Sequence, residues 1–179
     1  IGRPKVESAR ARLQALNPQC RVETHASRLE ETALQQAIAH ADIVLDCCDN
    51  FDTRFQLNRL CHASATPLVS GAAIRWEGQV TTFLYGRGDP CYHCLYGGGE
   101  DAAERCSENG VIAPLVGVIG SLQALEAIKV LLNLGETLCG RLLLFDALYS
   151  EWRSLILRKD PACPVCGAHT ALAAGAHDN

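Results

Sequence analysis

Two brackets of the same form, Cys91-Tyr92-His93-Cys94 and Cys163-Pro164-Val165-Cys166, hold the residues whose spacing speaks most directly of chemistry. A CxxC turn aims two sulfurs at one point. Two such turns complete the tetrahedral thiolate cage that a structural zinc ion prefers. Pro90 precedes the first bracket and Gly167 follows the second, both suited to tight turns. The wide separation of the brackets means that the ion joins distant parts of one domain, unlike a compact zinc finger. A closed site of four sulfurs offers substrate no open position, so reactive groups are expected elsewhere.

The run Asp46-Cys47-Cys48-Asp49-Asn50 follows the apolar Ile43-Val44-Leu45, which reads as a buried parallel strand. Ligands of open α/β sheets bind just past the carboxyl ends of such strands. A carboxylate at Asp49 can hold Mg²⁺ and, through it, nucleotide phosphates. Equally, Asp46, Asp49 and Asp52 suit turns and helix caps. Lys5 near a helix start could neutralise a phosphate or simply be solvated. Arg54 and Asn58 share a helical face with the turn and could orient a ligand or solvate the helix. Cys106 lies in the polar segment Glu104-Arg105-Cys106-Ser107-Glu108, where Arg105 favours a nucleophilic thiolate and the two glutamates oppose one. His93, inside a CxxC, could shield the metal; the other histidines are assigned to surface or core.

These groups need a scaffold, and helices alternate with strands along the chain. Pro4 opens a helix with Val6, Ala9, Leu13 and Leu16 at helical spacing, and Asn17-Pro18 stops it. A short strand is expected around Arg21 to His25, a helix over 29–41, the strand at Ile43, a helix over 52–65 and a strand over 67–71. That βαβα order predicts an α/β, Rossmann-like doubly wound sheet. From Gly78 the pattern turns antiparallel: a strand to Tyr85, a glycine-rich mobile loop from Gly97 to Gly110, and an apolar helix from Pro114 to Leu132. Gly117 and Gly120 are expected to permit close packing of that helix. Arg141–Phe145 and Trp152–Leu157 read as an antiparallel pair leading to the second CxxC.

The chain has 179 residues, 48% of them hydrophobic, enough for one substantial core. A net charge of −4 without a basic stripe argues against nucleic-acid binding. Ten cysteines in so long and core-rich a chain do not suit a secreted disulfide scaffold. Adjacent Cys47 and Cys48 read as reduced core residues, and the expected compartment is the reducing cytoplasm. No signal peptide stands out, and the apolar runs read as too short to span a bilayer, so no membrane partner is expected. The chain has no methionine, and Ile1-Gly2-Arg3-Pro4-Lys5 reads as the middle of a loop entering a helix. A missing preceding segment is therefore expected, the other reading being a processed terminus.

Together these motifs resemble the ThiF/MoeB/HesA family. The resemblance rests on Pro4-Lys5-Val6-Glu7-Ser8-Ala9, Asn17-Pro18, Asp46-x-x-Asp49-Asn50-x-x-Thr53-Arg54 and Asn58-x-x-Cys61. It continues through Pro90-Cys91-Tyr92-x-Cys94-Leu95, Cys106-x-x-x-Gly110-Val111 and Gly117-Val118-Ile119-Gly120-Ser121-Leu122-Gln123-Ala124-Leu125-Glu126-Ala127-Ile128-Lys129. It runs over essentially the whole chain with the motifs in order. The segments Phe145-Asp146-Ala147 and Trp152-Arg153-Ser154-Leu155 look more like the thiamine branch than the molybdopterin branch.

The resemblance implies a single adenylyltransferase domain over residues 1–179 that adenylates the C-terminal glycine of a ubiquitin-like sulfur carrier with ATP. By the family pattern Lys5 contacts ATP phosphates, while Asp49 and Asn50 hold nucleotide and Mg²⁺. Cys91, Cys94, Cys163 and Cys166 bind structural zinc. Cys106 matches the loop cysteine that forms a thioester or an acyl-disulfide with the carrier. A persulfide sulfur donor and a homodimer are implied as well. The family's first strand, glycine-rich nucleotide loop and arginine-bearing segment would precede Ile1, so the fragment alone is expected to be inactive. A nicotinamide dehydrogenase is disfavoured because no fingerprint loop is visible. A non-catalytic zinc-stabilised module and a tRNA-modifying adenylating relative stay open.

Overall fold

The computed structural model describes residues 2–97 and 110–167. The chain divides into two compact units, Ile1–Ala37 and Ile38–Asn179. In the first, α1 (Lys5–Leu16) follows Pro4, whose fixed φ suits a helix start, and ends at an extended Asn17. The Asn17 side chain accepts the Gln19 amide at 3.1 Å, closing the Asn-Pro turn. No side chain of α1 is buried, so its apolar stripe remains uncovered among the described residues. The strand expected at Arg21–His25 is irregular instead. Among the described residues it has no pairing strand, and an unpaired extended segment leaves its backbone groups to water. Thr24 donates to Glu7 at 3.1 Å, which fastens that segment to α1.

α2 spans Glu31–Ala39, and the second unit begins at Ile38, near its end. There β1 (Val44–Asp46), α3 (Phe51–Ser64) and β2 (Leu68–Ile74) form a parallel βαβ unit. β2 then pairs antiparallel with β3 (Glu77–Phe83), and β3 with β4 (Arg141–Asp146). β4 pairs with β5 (Glu151–Ile156), giving one sheet in the order β1-β2-β3-β4-β5. The expected Rossmann-like start with an antiparallel continuation is what the chain forms. β1, however, is an edge strand among the described residues, and Leu45 is 41% exposed rather than buried.

A short helix, α4 (Tyr92–Tyr96), fills the first CxxC bracket, and α5 (Ala113–Leu132) lies across β2 and β3. Leu115, Ile119 and Ala127 of α5 meet Val69 and Val80 in the core. Close approach comes from the sheet side. An added Cβ at Gly71 would strike Gln123, and one at Gly78 would strike Ile119 and Leu115. Gly117 and Gly120, expected to serve packing, meet nothing within 4 Å. The helix must therefore approach the sheet through the sheet's glycines, which present no side chain in its path.

α5 also corrects the expectation that no apolar run is long enough to span a bilayer. It is 20 residues long, with a mean hydropathy of 1.8 over its most apolar 18-residue stretch, and passes that test by length and composition. Its inner face nevertheless carries buried polar groups with partners. Thr82 and the Leu138 amide donate to Glu126 at 3.0 and 2.7 Å, and Lys129 pairs with the same carboxylate. A carboxylate so satisfied against a sheet belongs to a core helix. The expected mobile loop from Gly97 to Gly110 lies almost wholly outside the described residues, and Cys106 with it.

Candidate functional site

The turn from β1 into α3 is built by side chains rather than by backbone regularity. Asp46 is almost fully buried and accepts the Cys48 amide at 2.9 Å and the Ser70 hydroxyl at 2.8 Å. Asn50 caps α3, accepting the Thr53 amide at 2.9 Å, and its Nδ2 donates to Asp49 Oδ1 at 3.3 Å. The helix cap is thus Asn50, not one of the aspartates. Asp46 forms the turn and Asp49 stays exposed at its crest.

Two long polar side chains lock this turn from below. Arg54, buried on α3, donates to the Cys48 carbonyl and, at 3.3 Å, to the Gly71 carbonyl. Its Nε lies 3.9 Å from Asp46 Oδ2. Gln123 of α5 donates to the carbonyls of Asp46 and Val69 at 2.8 and 3.3 Å, tying the carboxyl end of β1 to the first half of β2. The suggestion that Arg54 and Asn58 merely solvate their helix is therefore wrong, because both are buried and bonded. Gln123 stands in the sequence only as part of the family motif, without a role, although a lone amide amid apolar helix residues is its visible signal.

Above the turn opens a cavity of about 760 Å³. Cys47, Asp49, Asn50 and Phe51 line it from the turn, Gly71–Ile74 from β2, and Gln79 from β3. Tyr96, in hydrogen-bond contact with Gln79 and edge-on to Phe51 at 5.3 Å, forms an aromatic wall. Glu77, Asp146 and Arg153 contribute charges from the antiparallel part. A concave apolar chamber with a few convergent polar groups at strand carboxyl ends suits a small ligand or an extended peptide. The expected core residues Cys47 and Cys48 instead lie at this cavity, exposed and half-buried. Partial burial, reinforced by the Asp46 carboxylate, raises the Cys47 thiol and pushes Cys48 up to about 12. Both stay protonated at neutral pH and are poor nucleophiles.

The second constellation is the thiol cluster. Cys91, Cys94, Cys163 and Cys166 place all four sulfurs within 4.8 Å of one another. Cys91 lies 3.9 Å from Cys94 and 3.6 Å from Cys163, and Cys94 lies 3.3 Å from Cys166. Zinc–sulfur bonds of about 2.3 Å in a tetrahedron put sulfurs about 3.8 Å apart, so the cluster fits such an ion. The brackets meet because β5 returns beside β4 and the chain then turns at Cys163–Gly167, closed by the Gly167 amide on the Cys163 carbonyl at 2.8 Å. His93 is not among the grouped ligands; its ring lies tilted against Phe55 with centroids 5.7 Å apart.

Of the residues singled out from sequence, the fold brings together Asp49 with Asn50, and the four bracket cysteines. Lys5 opens α1, exposed, in the first unit. Cys106 is outside the described residues.

Known proteins share this architecture. The Escherichia coli protein MccB, solved with ATP, superposes with a TM-score of 0.77 at 21% identity over 93% of this chain and 52% of its own. The molybdopterin-synthase adenylyltransferase of Escherichia coli is 48% identical over 93% of this chain and 67% of its own length. The sulfur carrier protein ThiS adenylyltransferase of the same organism is 44% identical over 96% and 68%. The chain thus spans about two thirds of these curated relatives and about half of the solved chain. A sequence profile of the ThiF family matches residues 1–165, and the chain belongs to that family.

Proposed function

We propose that the intact protein uses ATP to adenylate the C-terminal glycine of a ubiquitin-like sulfur carrier of the thiamine or molybdopterin pathway. The observation that carries this reading is the cavity at the carboxyl ends of β1 and β2, with Asp49 at its mouth, in a chain similar to named adenylyltransferases. Asp49 would hold Mg²⁺, which when bound supplies positive charge against the repulsion between carboxylate and triphosphate. Asn50 fixes the Asp49 carboxylate through its Nδ2 while capping α3, so the turn is set before nucleotide arrives. Lys5 is assigned to the phosphates. The apolar stretch between Ala72 and Ile74 gives the carrier's flexible tail a dry path, which protects a reactive acyl-adenylate from water.

The thiol cluster is assigned to structural zinc, away from the chemistry. Cys106 is assigned to the step after adenylation, as the thiol that forms a thioester or an acyl-disulfide with the carrier, with a persulfide as sulfur donor. A homodimer is the proposed assembly. Incubating the intact protein with ATP, labelled pyrophosphate and candidate carriers tests the reading. Pyrophosphate exchange that depends on a carrier ending in glycine is expected; exchange with none of them rejects it.

A further inference from the structure

We infer that Asn58 orients the Cys91 thiolate for the metal, donating an N–H···S bond from α3 to the zinc cage. The inference rests on the zinc reading of the thiol cluster. Asn58 and Cys91 are both fully buried, so water cannot stand in for either. Asn58 Oδ1 accepts the Tyr92 amide at 2.9 Å and the Tyr85 hydroxyl at 3.3 Å. A backbone N–H can only donate, so the amide oxygen must face it, and this fixes the side chain's orientation. The Nδ2 group is thereby turned toward Cys91 Sγ, 3.6 Å away.

A thiolate cage needs such donors. Four thiolates around a divalent ion leave a net charge of −2 in a dry interior, and each N–H that points at a sulfur spreads that charge. Cys94 receives one from the Asp160 backbone amide at 3.4 Å. Cys91, deeper in the structure, receives its donor from a side chain, and mutation can remove that one. Asn58 also stands one helical turn beyond Arg54, which grips the Cys48 carbonyl before Asp49. A single helix therefore carries both the cavity turn and the metal's buried donor.

The test uses Asn58→Asp and Tyr85→Phe in the intact protein, with zinc affinity read by competition against a chromophoric chelator. Asn58→Asp keeps the acceptor for the Tyr92 amide and loses the donor to sulfur. Tyr85→Phe keeps that donor. The expected results are zinc binding weakened about 10- to 100-fold in Asn58→Asp and little changed in Tyr85→Phe. Cobalt-loaded protein supplies a second readout, taken in the uncharged and similarly shaped Asn58→Leu, because a carboxylate beside the cage would itself raise the sulfur lone pairs. Losing the N–H raises the sulfur lone pairs in energy, so the sulfur-to-cobalt charge-transfer band moves to longer wavelength in Asn58→Leu and stays in place in Tyr85→Phe. An unmoved band overturns the inference, whatever happens to affinity. A wild-type protein without any sulfur-to-cobalt band overturns the metal reading itself, and with it this inference.

Discussion

Gln123, midway along α5, donates through Nε2 to the main-chain carbonyl of Asp46 at 2.8 Å, so the long helix closes the end of the strand that leads to Asp49. The contact depends on Gly71, because any Cβ there would occupy the space of the Gln123 amide.

Gly71→Ala should therefore do more than overpack a core. Displacing Gln123 leaves the carbonyls of Asp46 and Val69 without their buried donor, so a loss of roughly 1–3 kcal/mol is expected. Denaturant unfolding measures it. A variant as stable as the parent would show that Gln123 moves aside freely and that the closure has little weight.

The cavity thiols give a prediction in pH. Burial and the Asp46 carboxylate both disfavour the Cys48 thiolate, which places its titration at about 12 rather than the ordinary 9.0. Reaction with iodoacetamide follows the thiolate, so its rate at Cys48 should climb about tenfold per pH unit through pH 10. An unperturbed thiol would level off there. Peptide mapping after timed alkylation distinguishes the two, and a plateau by pH 10 would contradict the assigned environment.

α3 and α5 were readable because their inward residues recur at helical spacing, and β2 because it opens as a continuous run buried on both faces. The metal brackets were readable because CxxC spacing is local. What periodicity could not show was partnership. Arg21–His25 has the pattern of a strand but no pairing strand among the described residues, and Cys47 looks apolar while facing a cavity. Glycines misled for the same reason. Gly117 and Gly120 stand in a helix, where small residues suggest contact, but the tight approach falls at Gly71 and Gly78 on the sheet. Arg54, Asn58 and Gln123 make their bonds to residues distant in sequence, which no local pattern encodes.

Cys163→Ser should cost stability far more than it costs chemistry. A metal present at a thousandfold above its Kd contributes about 4 kcal/mol, a Tm loss of roughly 8 to 16 °C for a chain of this size when the site fails. Calorimetry with and without chelator provides the comparison. Equal melting of stripped and zinc-loaded wild type would remove the metal from the structural account.

Asp49→Asn addresses the first half-reaction. The side chain is exposed and is held in the turn by a bond from Asn50, so the fold should hold to within about 0.5 kcal/mol. Loss of the charge that would hold Mg²⁺ should lower carrier-dependent pyrophosphate exchange by about 10²–10³-fold. Near-normal exchange would leave Asp49 as a turn residue only.

Cys106→Ser separates the two halves of the proposed reaction. The cavity's own thiols, Cys47 and Cys48, are held protonated and are ill-suited to attack, so a covalent step needs a thiol from elsewhere in the chain. Cys106, beside Arg105, is the candidate. The serine variant should retain pyrophosphate exchange, because the adenylate forms by attack of the carrier carboxylate on ATP without help from a thiol. It should lose the covalent enzyme–carrier adduct seen by mass spectrometry, since a hydroxyl at that position offers no thiolate. Collapse of exchange in folded, metal-loaded protein would place Cys106 in the first step instead. Full sulfur transfer by the serine variant would mean that the persulfide attacks the adenylate directly.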